Sequence, residues 1–349
     1  MRPKLVTLLF SVVFLVRTVL AQTGDSPVEY MKTIVAAHED MNNKNMVYMS
    51  AAAHGKRLRK VEKLRQQAID AINKALESTN AMPAYKGDNS LKKSSLDFIN
   101  FCHKVFTDDY AHIVDMEEIS EQSVDEMQAY LLMQEKTEEK LKDANRDWGI
   151  AYHAFAAKNN VNLLENKSDR DLKIELASKL NKYHNKVYNI FFKCNWEDNQ
   201  LTKAMNNKKV NDVEQCRNAL IKYAVEGLKG LDSLRSFEGD VSLAQSCKQA
   251  LEAYKKIAET EVPKLTAFYL VEENFNNIKK AFSAKSSSDR KKEDVDAYNK
   301  AVKEMNDGVN AYNQTNNNVN NLRGSAVDNW NNTSKTFLDN NMPYFKKGH

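Results

Sequence analysis

Apolar residues near the C-terminus recur at intervals of three and four, the period of one face of an α-helix. The stripe consists of Val295, Tyr298, Val302, Met305, Val309 and Tyr312, and it resumes with Val319, Leu322, Ala326 and Trp330. Asn316 stands where an apolar residue is expected, and such a residue can fix the register of packed helices. The pattern predicts one long helix, capped by residues 286–289, whose seam packs inside the protein. A coiled coil between molecules is the alternative.

The same period divides the rest of the chain into further helices. They are predicted at residues 28–53, from Gly55 to about 80, 91 to about 114, 121–157, 173–192, 213–234, 243–259 and 265–282. Pro263 is expected to end the seventh, because proline lacks the N–H that continues a helix. Glycine and proline number only 10 and 5, whereas average usage is about 12% for the two together. So few turn-forming residues favour long helices, and the predicted fold class is all-α.

Two parts of the chain match each other at a shift of 152 residues. The match begins at Val61 and Val213 and runs without a gap to about residue 108. It includes a shared loop, YKGDNSL at residues 85–91 and FEGDVSL at residues 237–243. A shared loop between matching helices predicts an internal duplication.

The repeat defines the expected domain organisation. Val47-Tyr48 matches Val187-Tyr188 at a shift of 140, so the second copy carries about twelve extra residues between Trp196 and Val210. We predict an elongated protein of two duplicated helical-bundle halves with long antiparallel helices. Residues 22–165 form the first repeat, and residues 166–345 form the second with its long C-terminal helix.

The first twenty-one residues have the features of a secretory signal peptide. Arg2 and Lys4 precede an apolar run from Leu5 to Val16, and Ala21 ends a small-residue cleavage pattern. A run of this length is too short to span a bilayer, which takes about twenty residues. We predict that residues 1–21 are cleaved and that the chain is exported to the periplasm, the cell surface or the medium. No transmembrane segment is expected after cleavage.

Removing the leader changes the charge of the chain. The full sequence has a formal net charge of +4, and the leader holds Arg2, Lys4 and Arg17 but no acidic residue. The mature chain is therefore close to +1. A nucleic-acid-binding protein usually carries a marked basic excess, so nucleic acid is not an expected partner.

The four cysteines are Cys102, Cys194, Cys216 and Cys247. Cys194 is predicted near the end of one helix and Cys216 early in the next, at similar distances from the connection. An exported chain can form disulfides, so Cys194–Cys216 is the one candidate pair. Four unpaired apolar thiols are the alternative. No cysteine or histidine spacing is typical of a zinc or redox site.

The two repeat loops are the main candidate sites. Gly87 and Gly239 are expected to end a helix in the left-handed conformation. Caps for the next helix are expected from Asp88 or Ser90 and from Asp240 or Ser242. The alternative is a cation or sugar site, but one carboxylate and one hydroxyl per loop are too few for calcium.

No other group of residues predicts catalysis. An acidic cluster from Asp108 to Glu121 surrounds His112, and Asp109-x-x-His112 resembles a metal-ligand spacing on a helix. A dinuclear carboxylate site needs a second such pair, and the sequence has none. The sequence holds no GxSxG elbow and no glycine-rich phosphate loop. The basic run at residues 54–65 is interpreted as a solvated helix face rather than a site for acidic headgroups. We expect no enzyme activity, catalytic residue, metal or cofactor.

Three stretches resemble one family. They are AAAHGKRLRKVEKLR at 51–65, YAHIVDMEEISEQSVDEMQAYLL at 110–132 and EDVDAYNKAVKEMN at 293–306. They resemble an uncharacterised family of exported bacterial surface proteins with the same leader and helices, over nearly the whole mature chain. The resemblance implies a surface or periplasmic location but no activity, cofactor or functional residue. Cys194 and Cys216 are not part of that pattern.

The predicted function is therefore non-enzymatic. We expect an exported envelope or surface protein that binds an envelope or extracellular macromolecule through helical surfaces or has a structural role. The alternative is a periplasmic module that binds a small ligand in a cleft between the two halves. An enzyme with an unfamiliar helical site is a third hypothesis, and the oligomeric state is left open.

Overall fold

The computed structural model describes residues 26–53, 58–109, 120–164 and 169–345, and these residues form an all-α fold without β-strands. The predicted signal peptide lies outside the described residues. The α-helices are α1 (Pro27–Ala53), α2 (Leu58–Ala81), α3 (Ser90–Lys104), α4 (Val124–Lys158), α5 (Asp169–Asn206), α6 (Val210–Asp232), α7 (Ser242–Lys256), α8 (Val262–Ser283) and α9 (Lys292–Asn341).

The chain divides into two compact units. The first takes the described residues up to Asn185 and from Lys335 onward, and the second takes Lys186–Ser334. The chain enters the second unit within α5 and leaves it within α9. The repeat boundary expected near residue 165 concerns the sequence duplication and stays a prediction.

The core of the first unit is built on aromatic side chains. Helix α1 packs against α2, and α3 contacts both α2 and α4. Trp148 of α4 is only 1% exposed, and its ring centroid lies 4.6 Å from that of His38 and 5.3 Å from that of Tyr152. Phe98 of α3 closes the same cluster. Burial of these large rings supplies much of the hydrophobic stabilisation of this unit.

The second unit has an aromatic core with a polar addition. Phe191 of α5 stacks on Trp330 of α9 with ring centroids 4.4 Å apart. The buried Tyr254 of α7 donates a hydrogen bond from its hydroxyl to Asn195 Oδ1 at 2.9 Å. Close by, Arg323 of α9 forms an ion pair with Asp198 of α5. The Tyr254 hydroxyl and the Asp198 carboxylate are thus each paired within this core, as buried polar groups generally are.

Two segments of the structure agree at the same shift of 152 residues as the sequence. Helix α3 spans Ser90–Lys104 and α7 spans Ser242–Lys256. Each continues into a five-residue π-helical segment, Val105–Asp109 after α3 and Ile257–Glu261 after α7. The helix bounds and the rare π-helical turn therefore coincide residue for residue in the two segments.

Several predicted boundaries differ from the structure, and three of these differences change the interpretation. Helix α5 was expected to end at residue 192 but continues to Asn206. Pro263 does not end the preceding helix, because it lies in the first turn of α8, where a missing N–H costs no hydrogen bond. Residues 286–289 form a separate turn, and α9 begins at Lys292 with Asp294 Oδ2 accepting from the Lys291 N–H.

The apolar stripe of α9 packs inside the protein. Between Tyr298 and Tyr312 the stripe is half-buried against α8, with ring centroids 4.5 Å apart for Phe282 and Tyr298 and 5.0 Å apart for Phe268 and Tyr312. Further along α9, the stripe is buried in the core of the second unit at Val319, Ala326 and Trp330. The seam from Tyr298 to Trp330 therefore serves internal packing, whereas Val295 at its start is exposed.

Two helical glycines allow a matched test of packing. A Cβ at Gly227 would lie 2.5 Å from Leu251 Cδ2 and 2.8 Å from Ile190 Cγ2, whereas one at Gly324 would meet no heavy atom within 4 Å. We expect Gly227→Ala to destabilise the protein by about 1–2 kcal/mol through overpacking. Gly324→Ala should stabilise it by about 0.5–1 kcal/mol through helix propensity. Thermal unfolding measures the stability of both variants. Equal shifts of the two melting temperatures in the same direction would contradict the close packing described at Gly227.

His38 is a neutral core residue. It is 1% exposed, and its Nε2 lies 2.7 Å from the hydroxyl of the fully buried Ser95. Phe98 and Trp148 pack on its ring. Burial lowers the pKa of His38 to about 3. The imidazole therefore stays uncharged in the folded protein at neutral and mildly acidic pH.

The low pKa of His38 predicts acid sensitivity. The unfolded chain takes up a proton at this histidine below its ordinary pKa of about 6.5, whereas the folded chain does not until about 3. Stability is therefore lost as the pH falls through this window, by about 2 kcal/mol at pH 5 for this residue. Urea unfolding at pH 7 and pH 5 measures the loss. Between pH 7 and pH 5, the His38→Gln variant should lose about 2 kcal/mol less unfolding free energy than the wild type. An identical pH dependence of the two proteins would contradict a neutral, buried His38.

Candidate functional site

The two repeat loops are tight turns. In the first, Tyr85 and Asp88 exchange backbone hydrogen bonds of 3.0 and 2.8 Å across Lys86 and Gly87, which both have positive φ. Two consecutive positive φ values are typical of a type I′ turn. The second loop repeats this geometry at Phe237–Asp240, with Glu238 and Gly239 at the turn positions. The glycines are left-handed as expected, but they lie in hairpin turns rather than at helix C-termini.

The carboxylates of these loops support the following helices. Asp88 Oδ1 accepts a hydrogen bond from the Ser90 N–H at 2.9 Å, and Asp240 Oδ1 accepts from the Ser242 N–H at 2.8 Å. Ser90 and Ser242 are thus the first helical residues and not the caps. Lys158 donates to Asp88 Oδ2 at 2.8 Å, and this bond with those from Ser90 lowers the pKa of Asp88 to about 2. These contacts explain the loops structurally, without a ligand.

The four cysteines are free thiols in the structure. Cys194 lies twelve residues before the end of α5, whereas Cys216 lies six residues after the start of α6. Their distances from the connection are therefore unequal, and the predicted Cys194–Cys216 disulfide is not formed. Burial raises the pKa of Cys194 to about 12. Cys216 is half-buried and contacts Glu197 instead.

His112 and the centre of its acidic cluster, positions 110–119, lie outside the described residues. In the part of the chain that the structure describes, no three histidine, cysteine or acidic side chains are grouped to hold a metal ion. Within the same residues, no helix is long and apolar enough to cross a membrane.

A groove between α5 and α6 has the features of a binding site. The groove is open to solvent, has a volume of about 480 Å³ and lies entirely within the second unit. The lining residues are Trp196, Glu197, Gln200, Lys203, Ala204 and Asn207 from α5 and its end, and Asp212, Gln215, Cys216 and Ala219 from α6. Small side chains at positions 204, 216 and 219 leave space between the two helices. Ligand sites commonly combine such a concave shape with a few polar groups.

A buried acid lines this α5–α6 groove. Glu197 is only 7% exposed, and its carboxylate accepts a hydrogen bond from the Cys216 thiol. Burial raises the pKa of Glu197, and the bond from Cys216 opposes the rise. Burial also raises the pKa of Cys216, to about 11, so the thiol keeps its proton and donates. Among the described residues, no basic side chain forms an ion pair with Glu197.

This groove is not among the sites that the sequence predicts. The sequence feature that marks it is an apolar helical stripe interrupted by two acidic residues. Residues 197 and 198 stand where the next apolar position is expected in the stripe Val187, Phe191, Cys194, Leu201 and Met205. Acidic residues on an apolar face are unusual because burying a charge is costly. The predicted end of this helix at residue 192 leaves out the part of the stripe that lines the groove, whereas α5 continues to Asn206. The α5 side of the groove lies within residues 196–210, the segment that the sequence comparison predicts to be an insertion.

Comparison with known proteins gives no relative. No protein-family model, curated protein or solved structure matches this chain. The resemblance to exported bacterial surface proteins therefore remains an expectation drawn from the sequence.

Proposed function

We propose that this chain is an exported, non-enzymatic envelope or surface protein that acts by binding through its helical surfaces, with the α5–α6 groove as the binding site. The observation that carries the proposal is the groove itself, where Glu197 is buried beside Trp196 without a basic partner among the described residues. The leader-like first twenty-one residues support export. The expected partner is an envelope or extracellular macromolecule, and no nucleic acid is expected.

Small-ligand binding is the second candidate function. A volume of about 480 Å³ lies within the range of small-molecule sites. The cleft expected from the sequence lay between the two repeats, whereas this groove lies within the second unit. In the two hypotheses the groove accepts either an isolated small molecule or one chemical group of a larger envelope component.

The internal duplication is also part of the proposal. The coinciding bounds of α3 and α7, their π-helical continuations and their type I′ turns support descent of the two segments from one ancestral segment. The α5 side of the groove, which is formed by residues between Trp196 and Val210, would then be a later addition in the second copy. The elongated arrangement expected from the sequence stays a prediction.

Location and binding are tested together on intact cells. We expect external protease to remove the protein from whole cells, and we expect the tagged mature chain to co-sediment with envelope fragments. Protection from protease in intact cells but not in permeabilised cells would place the protein in the periplasm. A chain that is retained in the cytoplasm with its first twenty-one residues uncleaved would contradict export.

A further inference from the structure

We propose that the α5–α6 groove binds a small organic ammonium group, with Glu197 as its counter-ion and Trp196 as the aromatic surface against its alkyl groups. This inference rests on the proposed binding function and names the chemistry of the ligand. Charge is the least usual feature of this groove, because Glu197 is a buried acid without an ion pair among the described residues.

A buried carboxylate without a cationic partner is unfavourable in a folded protein. Glu197 receives one described hydrogen bond, and its donor is the weakly donating thiol of Cys216. A neighbouring buried acid, Asp198, contrasts with it, since Asp198 accepts two charged hydrogen bonds from Arg323. A cationic ligand would supply for Glu197 what Arg323 supplies for Asp198.

Trp196 favours an alkylated cation over a bare metal ion. Tryptophan is the best aromatic partner for an organic cation, because its electron-rich face attracts the positive charge while contacting the alkyl groups. Trp196 precedes Glu197 in sequence, and both side chains line the groove. A metal ion would need more oxygen ligands than one buried carboxylate offers.

The other charges of the groove are consistent with a cation at Glu197. Asp212 extends from α6 on the opposite side, and its carboxylate forms an ion pair with Lys209 at 3.6 Å. Lys203 is six residues along α5 from Glu197, which corresponds to about 9 Å along the helix axis. The end of the groove at Trp196 and Glu197 is therefore negative. A neutral sugar could bond to Gln200 and Gln215 but would leave the charge of Glu197 uncompensated.

Choline is a suitable probe, since it is a small quaternary ammonium compound. Its neutral isostere 3,3-dimethyl-1-butanol has the same shape without the charge. We expect choline to bind the full mature chain in calorimetric titration, and we expect the isostere to bind at least about tenfold more weakly. Glu197→Gln should weaken choline binding by at least about tenfold. Glu226→Gln, which removes an exposed acid from α6 outside the groove, should leave it unchanged.

The outcomes separate the ligand chemistry from the binding function. Equal binding of choline and its isostere, or no binding of choline by folded wild-type protein, would overturn the ammonium proposal. Circular dichroism of Glu197→Gln establishes that the variant is folded, and Trp196→Leu provides a second loss of affinity that does not depend on the carboxylate. If envelope binding needs Glu197 while choline does not bind, the proposed function stands and the ligand class is wrong.

Discussion

Replacing Arg323 by methionine is expected to destabilise the second unit by about 3–5 kcal/mol. Arg323 donates from Nε to Asp198 Oδ2 at 2.7 Å and from Nη2 to Asp198 Oδ1 at 2.8 Å. The Asp198 side chain is only 6% exposed. Burial raises the pKa of Asp198 even though the bonds from Arg323 lower it. For the Asp198 carboxylate, the effect of desolvation on the pKa thus already outweighs that of Arg323. Removing the arginine leaves a buried acid whose charge no partner compensates.

Two further variants isolate this effect. The double variant Asp198→Leu/Arg323→Met removes both charges and should recover most of the loss, because an apolar pair of similar size is tolerated in a core. Arg146→Met breaks an exposed ion pair with Asp143 and should cost less than about 1 kcal/mol. Amide exchange of residues 319–330 reports the opening of this region. A loss below about 1 kcal/mol for Arg323→Met would mean that Asp198 is not buried as described.

Truncating Trp148 is the second change with a large expected effect. Trp148→Ala should destabilise the first unit by about 3–5 kcal/mol. The indole is nearly inaccessible to solvent and packs on rings from three helices, through His38 of α1, Phe98 of α3 and Tyr152 of α4. Its removal leaves a large cavity that a close-packed core cannot fill by relaxation.

Urea unfolding followed by far-ultraviolet circular dichroism measures the cost of Trp148→Ala. Trp148→Phe keeps an aromatic ring at the same position and should lose clearly less stability than the alanine variant. If the alanine and phenylalanine variants unfold at the same urea concentration as wild type, the aromatic cluster does not hold the first unit together.

The periodic helices were predictable because their signal repeats many times. The stripe from Tyr298 to Trp330 identifies α9 and the side that it buries, and the structure places these residues against α8 and in the core of the second unit. Scarce glycine and proline correctly indicate an all-α fold. Such features follow from local composition and need no knowledge of distant contacts.

Helix ends were less predictable because tertiary contacts decide them. Helix α5 continues to Asn206, although Asp198 breaks its apolar stripe, since Arg323 supplies the missing charge from 125 residues away. Pro263 reads as a helix end, yet the π-helical turn before it lets the chain begin α8 there. The predicted Cys194–Cys216 disulfide depended on an earlier end of α5. In the structure both cysteines are free thiols.

The α5–α6 groove lay beyond the reach of sequence patterns for a related reason. Whether Glu197 is a solvated acid or a buried one depends on α6 packing across it, and a sequence pattern gives no information about that contact. The predicted insertion between Trp196 and Val210 coincides with the α5 side of the groove. An insertion in one copy of a repeat is a useful place to look for a site.

Envelope binding through the α5–α6 groove is tested most directly by comparing three tagged mature chains: wild type, Glu197→Gln and Glu226→Gln. Each is incubated with isolated envelope fragments, and the retained fraction is measured. We expect wild type and Glu226→Gln to be retained equally and Glu197→Gln to be retained at least about tenfold less. Equal retention of all three proteins would contradict the groove as the binding site.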